Sequence, residues 1–349
     1  MMNQIIMQDM EDIFARKINW DALRNKTILL TGAYGMLASY ITYFIAFLNS
    51  KDYNIKLIAA VRSKEKFFKH FPGLTEQANI EVVEYLMDRE IQIDGDVDYI
   101  IHAASFASPQ YYGVCPVDVF TPNIIGNYHL LKLAYEKKVK SYLMFSSSDI
   151  YGTVEKTSIS EDDFGGMDTL DIHSCYSESK RMAETMCKSF FVQYDVPVKI
   201  ARIWHTYAPT MDVENDPRVF SSFVKNIIHG QNIEMKSDGS GQRCFCYITD
   251  AVAGYFAILL HGQSGEAYNV CNSSQYVSMA ELAETLVGLS DDNLKVVKKE
   301  RTLDEHYVEN NLLTNRVRIP SDEKLRGLGW EAKVDIKDGF GRVIEFLRD

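Results

Sequence analysis

Short apolar runs alternate with stretches of helical periodicity over residues 26–203. The apolar runs fall at 26–31, 55–63, 80–83, 99–102, 142–146 and 198–203, lengths that suit buried strands. Between them lie a helical run reaching Leu48, a long helix near 117–138 and another that opens at Cys175. Alternation of this kind predicts an α/β fold with a parallel sheet covered by helices on both faces. Ahead of it, Ile5, Ile6, Met10, Ile13, Phe14 and Ile18 recur near helical spacing, so residues 1–24 form an appended amphipathic helix. It serves either as a partner contact or as a helix packed on the back of its own domain. Past residue 204 the alternation loosens. A glycine-rich loop at 237–243, a helix from Asp250 and a final helix over 336–347 read as a smaller lobe interwoven with the first. The expected division is 1–24, 25–203 and 204–349.

Composition adds limits. The chain of 349 residues is 46% hydrophobic and 24% charged, ordinary for a globular protein able to bury a large core. Its net charge of −11 opposes general binding to nucleic acid or anionic membrane, so a phosphorylated substrate needs a local basic pocket. The six cysteines show no C-x-x-C spacing and no nearby histidine pattern, which points to buried thiols in a reducing compartment and to no metal site. No apolar run approaches the roughly 18 residues that span a bilayer, and acidic residues near the start replace a signal pattern. A cytoplasmic location is the expectation.

Two stretches carry candidate chemistry. Where the first strand ends, Gly32, Gly35 and Ala38 form a G-x-x-G-x-x-A turn into a helix. Glycines there let the backbone approach a pyrophosphate, whose charge the helix N-terminus favours. At the end of the second strand an acidic residue would hold an adenosine ribose; Arg62 stands there instead, which tilts the cofactor from NAD towards NADP. His102, Ala103 and Ala104 close a later strand with small residues, suited either to close cofactor approach or to tight packing.

The second stretch runs from Met144 to Lys180. A strand opens into Ser146, Ser147, Ser148 and Asp149, and Tyr176 and Lys180 follow at the i, i+4 spacing that places both on one helix face. A phenol, an ammonium, hydroxyls and a carboxylate at one place can move protons at an alcohol. Tyr128 and Lys132 share the spacing but follow no hydroxyl cluster, so position selects Tyr176.

In order, these motifs resemble the extended short-chain dehydrogenase/reductases that act on nucleotide sugars. Within that group the chain is most similar to UDP-glucuronate decarboxylases, then to dTDP-glucose 4,6-dehydratases and 4-epimerases. The resemblance covers about residues 26–349 and rests on 31–38, 102–112 (HAASFASPQYY), 123–126, 146–152, 176–187, 202–211, Arg218, 239–247 and 328–330. It implies a Rossmann-like doubly wound parallel sheet with a smaller mixed α/β C-terminal lobe, a bound NAD or NADP, a nucleotide-diphosphate sugar as substrate and a homodimer. Tyr176 would take the C4 hydroxyl proton, Lys180 would lower its pKa and hold the cofactor ribose, and Ser147 would share the hydrogen bond. Ser108, Ser148, His205, Arg218 and Arg243 match substrate contacts, the two arginines meeting the diphosphate. Arg316 or Arg318 matches the arginine that holds a substrate carboxylate.

The departures narrow the reaction. Ser148 stands where the dehydratases carry an acid, so loss of water across C5 and C6 is disfavoured. Asp149 is one methylene short of the decarboxylases' glutamate, and either acts on the keto intermediate or anchors the turn. His205 replaces their asparagine. The expected activity is C4 oxidation followed by decarboxylation. The alternatives are 4-epimerisation or NADPH-dependent reduction of a keto sugar and, from another class, a non-catalytic dinucleotide sensor.

Overall fold

The computed structural model describes residues 2–74, 79–290, 293–299 and 318–348. Seven strands build the main sheet: β1 Thr27–Thr31, β2 Lys56–Val61, β3 Ile80–Glu84, β4 Tyr99–His102, β5 Ser141–Ser147, β6 Val198–Ile203 and β7 Glu266–Val270. Their order in space is 3-2-1-4-5-6-7 and every neighbouring pair is parallel. Strand order reverses at β1, which pairs with β2 on one side and β4 on the other, so the crevice beyond the ends of β1 and β4 is where such sheets bind ligands.

Both faces are covered, as the alternation predicts. Ile28 and Leu30 face a core shared with α1 (Gln4–Phe14), α2 (Met36–Asn49) and α8 (Ile248–His261), while Leu29 faces a second core with α5 (Asn127–Lys137) and α6 (Ser174–Tyr194). Strand period 2 sends successive residues of β1 into opposite cores. The remaining helices are α3 Lys64–His70, α4 Pro116–Thr121, α7 Val219–Ile228, α9 Met279–Val287, α10 Glu323–Arg326 and α11 Ile336–Arg348.

The N-terminal segment packs on its own domain. Ile5, Ile6, Met10 and Ile13 are buried, and so is Asp9, which accepts hydrogen bonds from Tyr40, Tyr247 and Arg342. Arg16 pairs with buried Asp250 at 2.6 Å, joining the same segment to the start of α8. This favours the intramolecular reading of residues 1–24.

Two features differ from the expected elements. The long helix near 117–138 is broken by a π turn over Pro122–Gly126, because Pro122 has no N–H to continue the α pattern. The strand β7, drawn from the C-terminal part, extends the main sheet beside β6. Its short stretch EAYNV carries too little periodicity to separate it from a loop. The rest of the smaller lobe centres on a mixed sheet in which 242–247 pairs parallel with 205–207 and antiparallel with 276–278.

Candidate active site

Strand ends and turns along one edge of the sheet assemble the site. Gly32 follows β1 with φ of +68°, a conformation that favours glycine, and a Cβ there would lie 3.0 Å from Ala104 Cα. The glycine turn and the loop after β4 therefore touch backbone to backbone, leaving a cradle that a side chain would fill. Gly35 caps α2 and donates its N–H to Gly32 O at 2.7 Å. Ala38 is buried in the first turn of α2, where a small residue serves helix–sheet packing. These residues suit the pyrophosphate of a dinucleotide.

His102 sits behind that cradle rather than on it. Its ring is buried, with Nε2 3.0 Å from Pro122 O and Nδ1 2.9 Å from Thr31 Oγ1. The carbonyl requires a proton on Nε2, so Nδ1 accepts from Thr31, whose oxygen in turn accepts from the N–H groups of Ala103 and Ala104. Burial drives the imidazole pKa down to about 3, with Lys180 adding to the effect. The expected cofactor contact by His102 is thus replaced by a structural one. It orients the loop from behind, and its polar atoms are used up.

The strand β5 delivers Ser146 and Ser147, and a 3-10 turn over Ser148–Tyr151 presents Ser148 and Asp149. Ser147 Oγ accepts from Asp149 N at 3.2 Å and acts on the Tyr176 phenol, pulling its pKa down. Ser146 points away, donating to Glu184, which also binds Arg202. Tyr176 and Lys180 lie on the first turns of α6, both buried. Lys180 Nζ donates to Phe145 O at 2.7 Å and sits 5.7 Å from the Tyr176 ring centroid. Tyr176, Ser147 and Lys180 thus meet at one place.

The electrostatics differ from the sequence expectation. Burial raises the Tyr176 phenol above its ordinary range, Asp149 raises it further, and the Ser147 hydrogen bond only partly opposes them. Lys180 is itself lowered to about 7 by burial, with Glu184 opposing. Desolvation acts on both groups and favours their neutral forms, so the expected lowering by Lys180 is outweighed. Tyr176 stands as a protonated phenol.

The opposite wall comes from the smaller lobe. Arg243 is the second residue of the strand at 242–247, is half-buried, and donates to Gln242 O at 2.8 Å. Its charge opposes the burial that raises the Asp149 carboxyl. Asp149 nonetheless keeps solvent-exposed surface. His205 is lowered to about 3 by burial and by the charges of Arg243 and Arg218, and its buried Nδ1 has no hydrogen-bond partner among the described residues. Arg218 forms a forked pair with Asp216 and lies over Phe220, so its guanidinium is partly committed within its own loop. Ser108 is half-buried at the start of the turn over Pro109–Tyr111. Arg316 lies outside the described residues. Arg318 donates to Gly152 O at 3.0 Å, just after the Asp149 turn, and its charge acts on Arg243.

Several supporting roles escaped sequence reasoning. Tyr112 stacks on Tyr176, and Tyr276 accepts from the Arg318 N–H. Asn123, in the π turn, donates to Ser179 Oγ and accepts from Ser105 Oγ, joining the β4 loop to the Tyr176 helix. Pro122 inside a helical pattern was the available signal for that irregularity.

Comparison with known proteins follows the same line. The model of the NAD dependent epimerase/dehydratase family matches residues 28–271. The chain is similar to UDP-glucuronic acid decarboxylase 6 of Arabidopsis thaliana, 30% identical over 93% of this chain and 89% of that protein. UDP-glucuronic acid decarboxylase 3 of the same plant is 31% identical over 93% and 90%. Among solved structures, UDP-glucose 4-epimerase from Thermotoga maritima superposes with a TM-score of 0.75 at 19% identity, covering 92% of this chain and 98% of that one.

Proposed function

Because the chain belongs to the NAD dependent epimerase/dehydratase family, we propose that it oxidises the C4 hydroxyl of a nucleotide-diphosphate sugar and that decarboxylation follows. The observation that carries the reading is the convergence of Tyr176, Ser147 and Lys180 at the switch-point crevice. The similarity to UDP-glucuronic acid decarboxylases supports the choice of a uronic acid as substrate.

The glycine turn at Gly32 and Gly35, together with Ala103 and Ala104, would hold the dinucleotide, with Lys180 at its ribose. Bound NAD(P) would supply the hydride acceptor and a positive nicotinamide ring that favours the phenolate. Tyr176 then removes the C4 hydroxyl proton while Ser147 holds the oxygen. The product is a ketone β to the C5 carboxylate, so CO2 leaves with its bonding electrons passing to O4. Asp149, whose carboxyl is raised by burial, is placed to return a proton to the sugar. Arg243 and Arg318 supply cations for the diphosphate and the carboxylate against the net charge of −11.

A second reading has an observation of its own. A phenol held protonated suits donation to a keto sugar during hydride delivery, so Tyr176 also fits NADPH-dependent reduction or the second half of a 4-epimerisation. A homodimer is part of the reading; the exposed Phe120, Tyr128 and Met182 on α4, α5 and α6 support it.

The test mixes the enzyme with UDP-glucuronate and NAD+ or NADP+ and follows the products by mass spectrometry. Loss of CO2 with retention of the nucleotide supports decarboxylation. An isomer of unchanged mass would shift the reading to epimerisation, and unchanged UDP-glucuronate would remove a uronic acid as substrate.

A further inference from the structure

We propose that Cys115 and Cys175 form a redox modification site, a reversible disulfide that ties the loop after β4 to the Tyr176 helix and slows the chemistry there. The effect on chemistry rests on the function proposed above; the disulfide itself does not. Four of the six cysteines are buried, whereas Cys115 and Cys175 are half-buried and open to a small oxidant. Cys115 ends the loop, its N–H donating to Tyr111 O at 2.9 Å, and directly precedes α4. Cys175 is the second residue of α6 and directly precedes Tyr176. Its Sγ donates to Tyr112 O at 3.9 Å, so this thiol already rests on the loop that carries Cys115 three residues on. Val119 of α4, Tyr112 and Tyr176 share one small apolar cluster, with Cys175 packed against it. Burial raises the Cys175 thiol and a Cys115 thiolate raises it further, which places the two sulfurs within electrostatic reach.

The step is thiol–disulfide exchange with a low-molecular-weight disulfide. The thiolate of one cysteine attacks a sulfur of that molecule and expels one small thiolate. The second cysteine then attacks the mixed disulfide and expels the other. Two protein thiols are oxidised by two electrons, the small disulfide is reduced to two thiols, and the two cysteine protons pass to them through water. Both cysteines are unbonded here, and a disulfide demands about 2.05 Å between sulfurs. Closing that gap draws the loop and the first turn of α6 together. Rings hold the loop at both ends: the Arg62 guanidinium lies 4.5 Å over Phe106, and Tyr112 stacks on Tyr176. A shift at Cys175 therefore moves Tyr176 against its wall, and a displacement of about 1 Å at a reacting group costs about a hundredfold in rate. Where thiols are otherwise kept reduced, such a bond is transient and acts as a sensor rather than a staple.

The test incubates the full-length protein at rising ratios of oxidised to reduced glutathione, then alkylates, digests and maps the peptides by mass spectrometry. Two of the six thiols are expected to disappear together, in a peptide pair that joins Cys115 to Cys175. Cys115→Ser should abolish the cross-link and leave hydride transfer by the reduced protein within about twofold of wild type. Amide hydrogen exchange over 109–121 should slow at least about tenfold in the oxidised wild type, a readout that needs no substrate. Hydride transfer from the nucleotide sugar should fall in step with the cross-linked fraction, at least about tenfold when cross-linking is complete, and recover with dithiothreitol. Separate glutathione adducts without a cross-link would overturn the site, as would a cross-link confined to the neighbouring buried thiols Cys244 and Cys271. A Cys115–Cys175 cross-link that leaves exchange and hydride transfer unchanged would overturn its control of the chemistry. If the reduced protein transfers no hydride at all, the proposed function falls, while the cross-link and the exchange rates still decide the redox site.

Discussion

The rings of Tyr112 and Tyr176 lie nearly parallel, 12° apart, with centroids separated by 5.2 Å. Tyr112 is in turn anchored by its hydroxyl to Ala107 O at 3.1 Å, so the β4 loop sets the plane in which the Tyr176 phenol lies. An offset-stacked pair of this kind contributes only about 1 kcal/mol of attraction. Its value is positional. Tyr112→Ala removes the wall and should lower kcat on the active nucleotide sugar about a hundredfold. Tyr112→Phe keeps the ring, loses one hydrogen bond and should cost no more than about tenfold. Steady-state rates of the two variants check this, and equal losses would show that the hydroxyl, not the stack, matters.

Lys180 gives a dependence of stability on pH whose sign is fixed. Burial lowers its pKa to about 7 in the folded chain, against 10.5 for a free lysine. Between those values the unfolded chain binds the extra proton, so this group's contribution to stability rises with pH. The buried charge is most costly below pH 7 and its cost fades towards pH 10. The Tm of the wild type minus that of Lys180→Met should therefore increase from pH 7 to pH 10. A difference that stays flat would contradict the burial of an ionisable group there.

Much of this architecture is legible in the sequence because its signals are local. The apolar runs give six of the seven strands, and Gly32 marks the crevice because its φ of +68° favours glycine. Tyr176 and Lys180 are legible through helical spacing and the hydroxyl cluster before them. What sequence spacing does not reveal is depth. His102 reads as a strand-end residue beside the cofactor, yet long-range bonds to Thr31 and Pro122 turn it inward. The lowering of Tyr176 expected from Lys180 ignored desolvation, which depends on residues distant in the chain. Arg318 reaches Gly152 O, just after the Asp149 turn, across 166 positions of the chain, a contact that no local spacing announces.

The N-terminal segment makes a separate prediction. Asp9 is fully buried and accepts from Tyr40, Tyr247 and Arg342, whereas Asp12 is partly exposed while binding the same arginine. Asp9→Ala leaves two buried hydroxyls without their acceptor and should cost about 3 kcal/mol. Asp12→Ala should cost less than about 1 kcal/mol. Chemical denaturation of the two variants distinguishes them. Similar small costs would mean that residues 1–24 are only loosely attached.

The central claim is that Tyr176 moves the proton that accompanies hydride transfer at the sugar. The direct measurement is nicotinamide absorbance on mixing the dinucleotide-loaded enzyme with its nucleotide sugar, compared between wild type and Tyr176→Phe. The wild type should show transient or net change of the reduced band, and the variant should bind the dinucleotide with unchanged affinity and show none. Hydride transfer at wild-type rate in Tyr176→Phe would contradict the account.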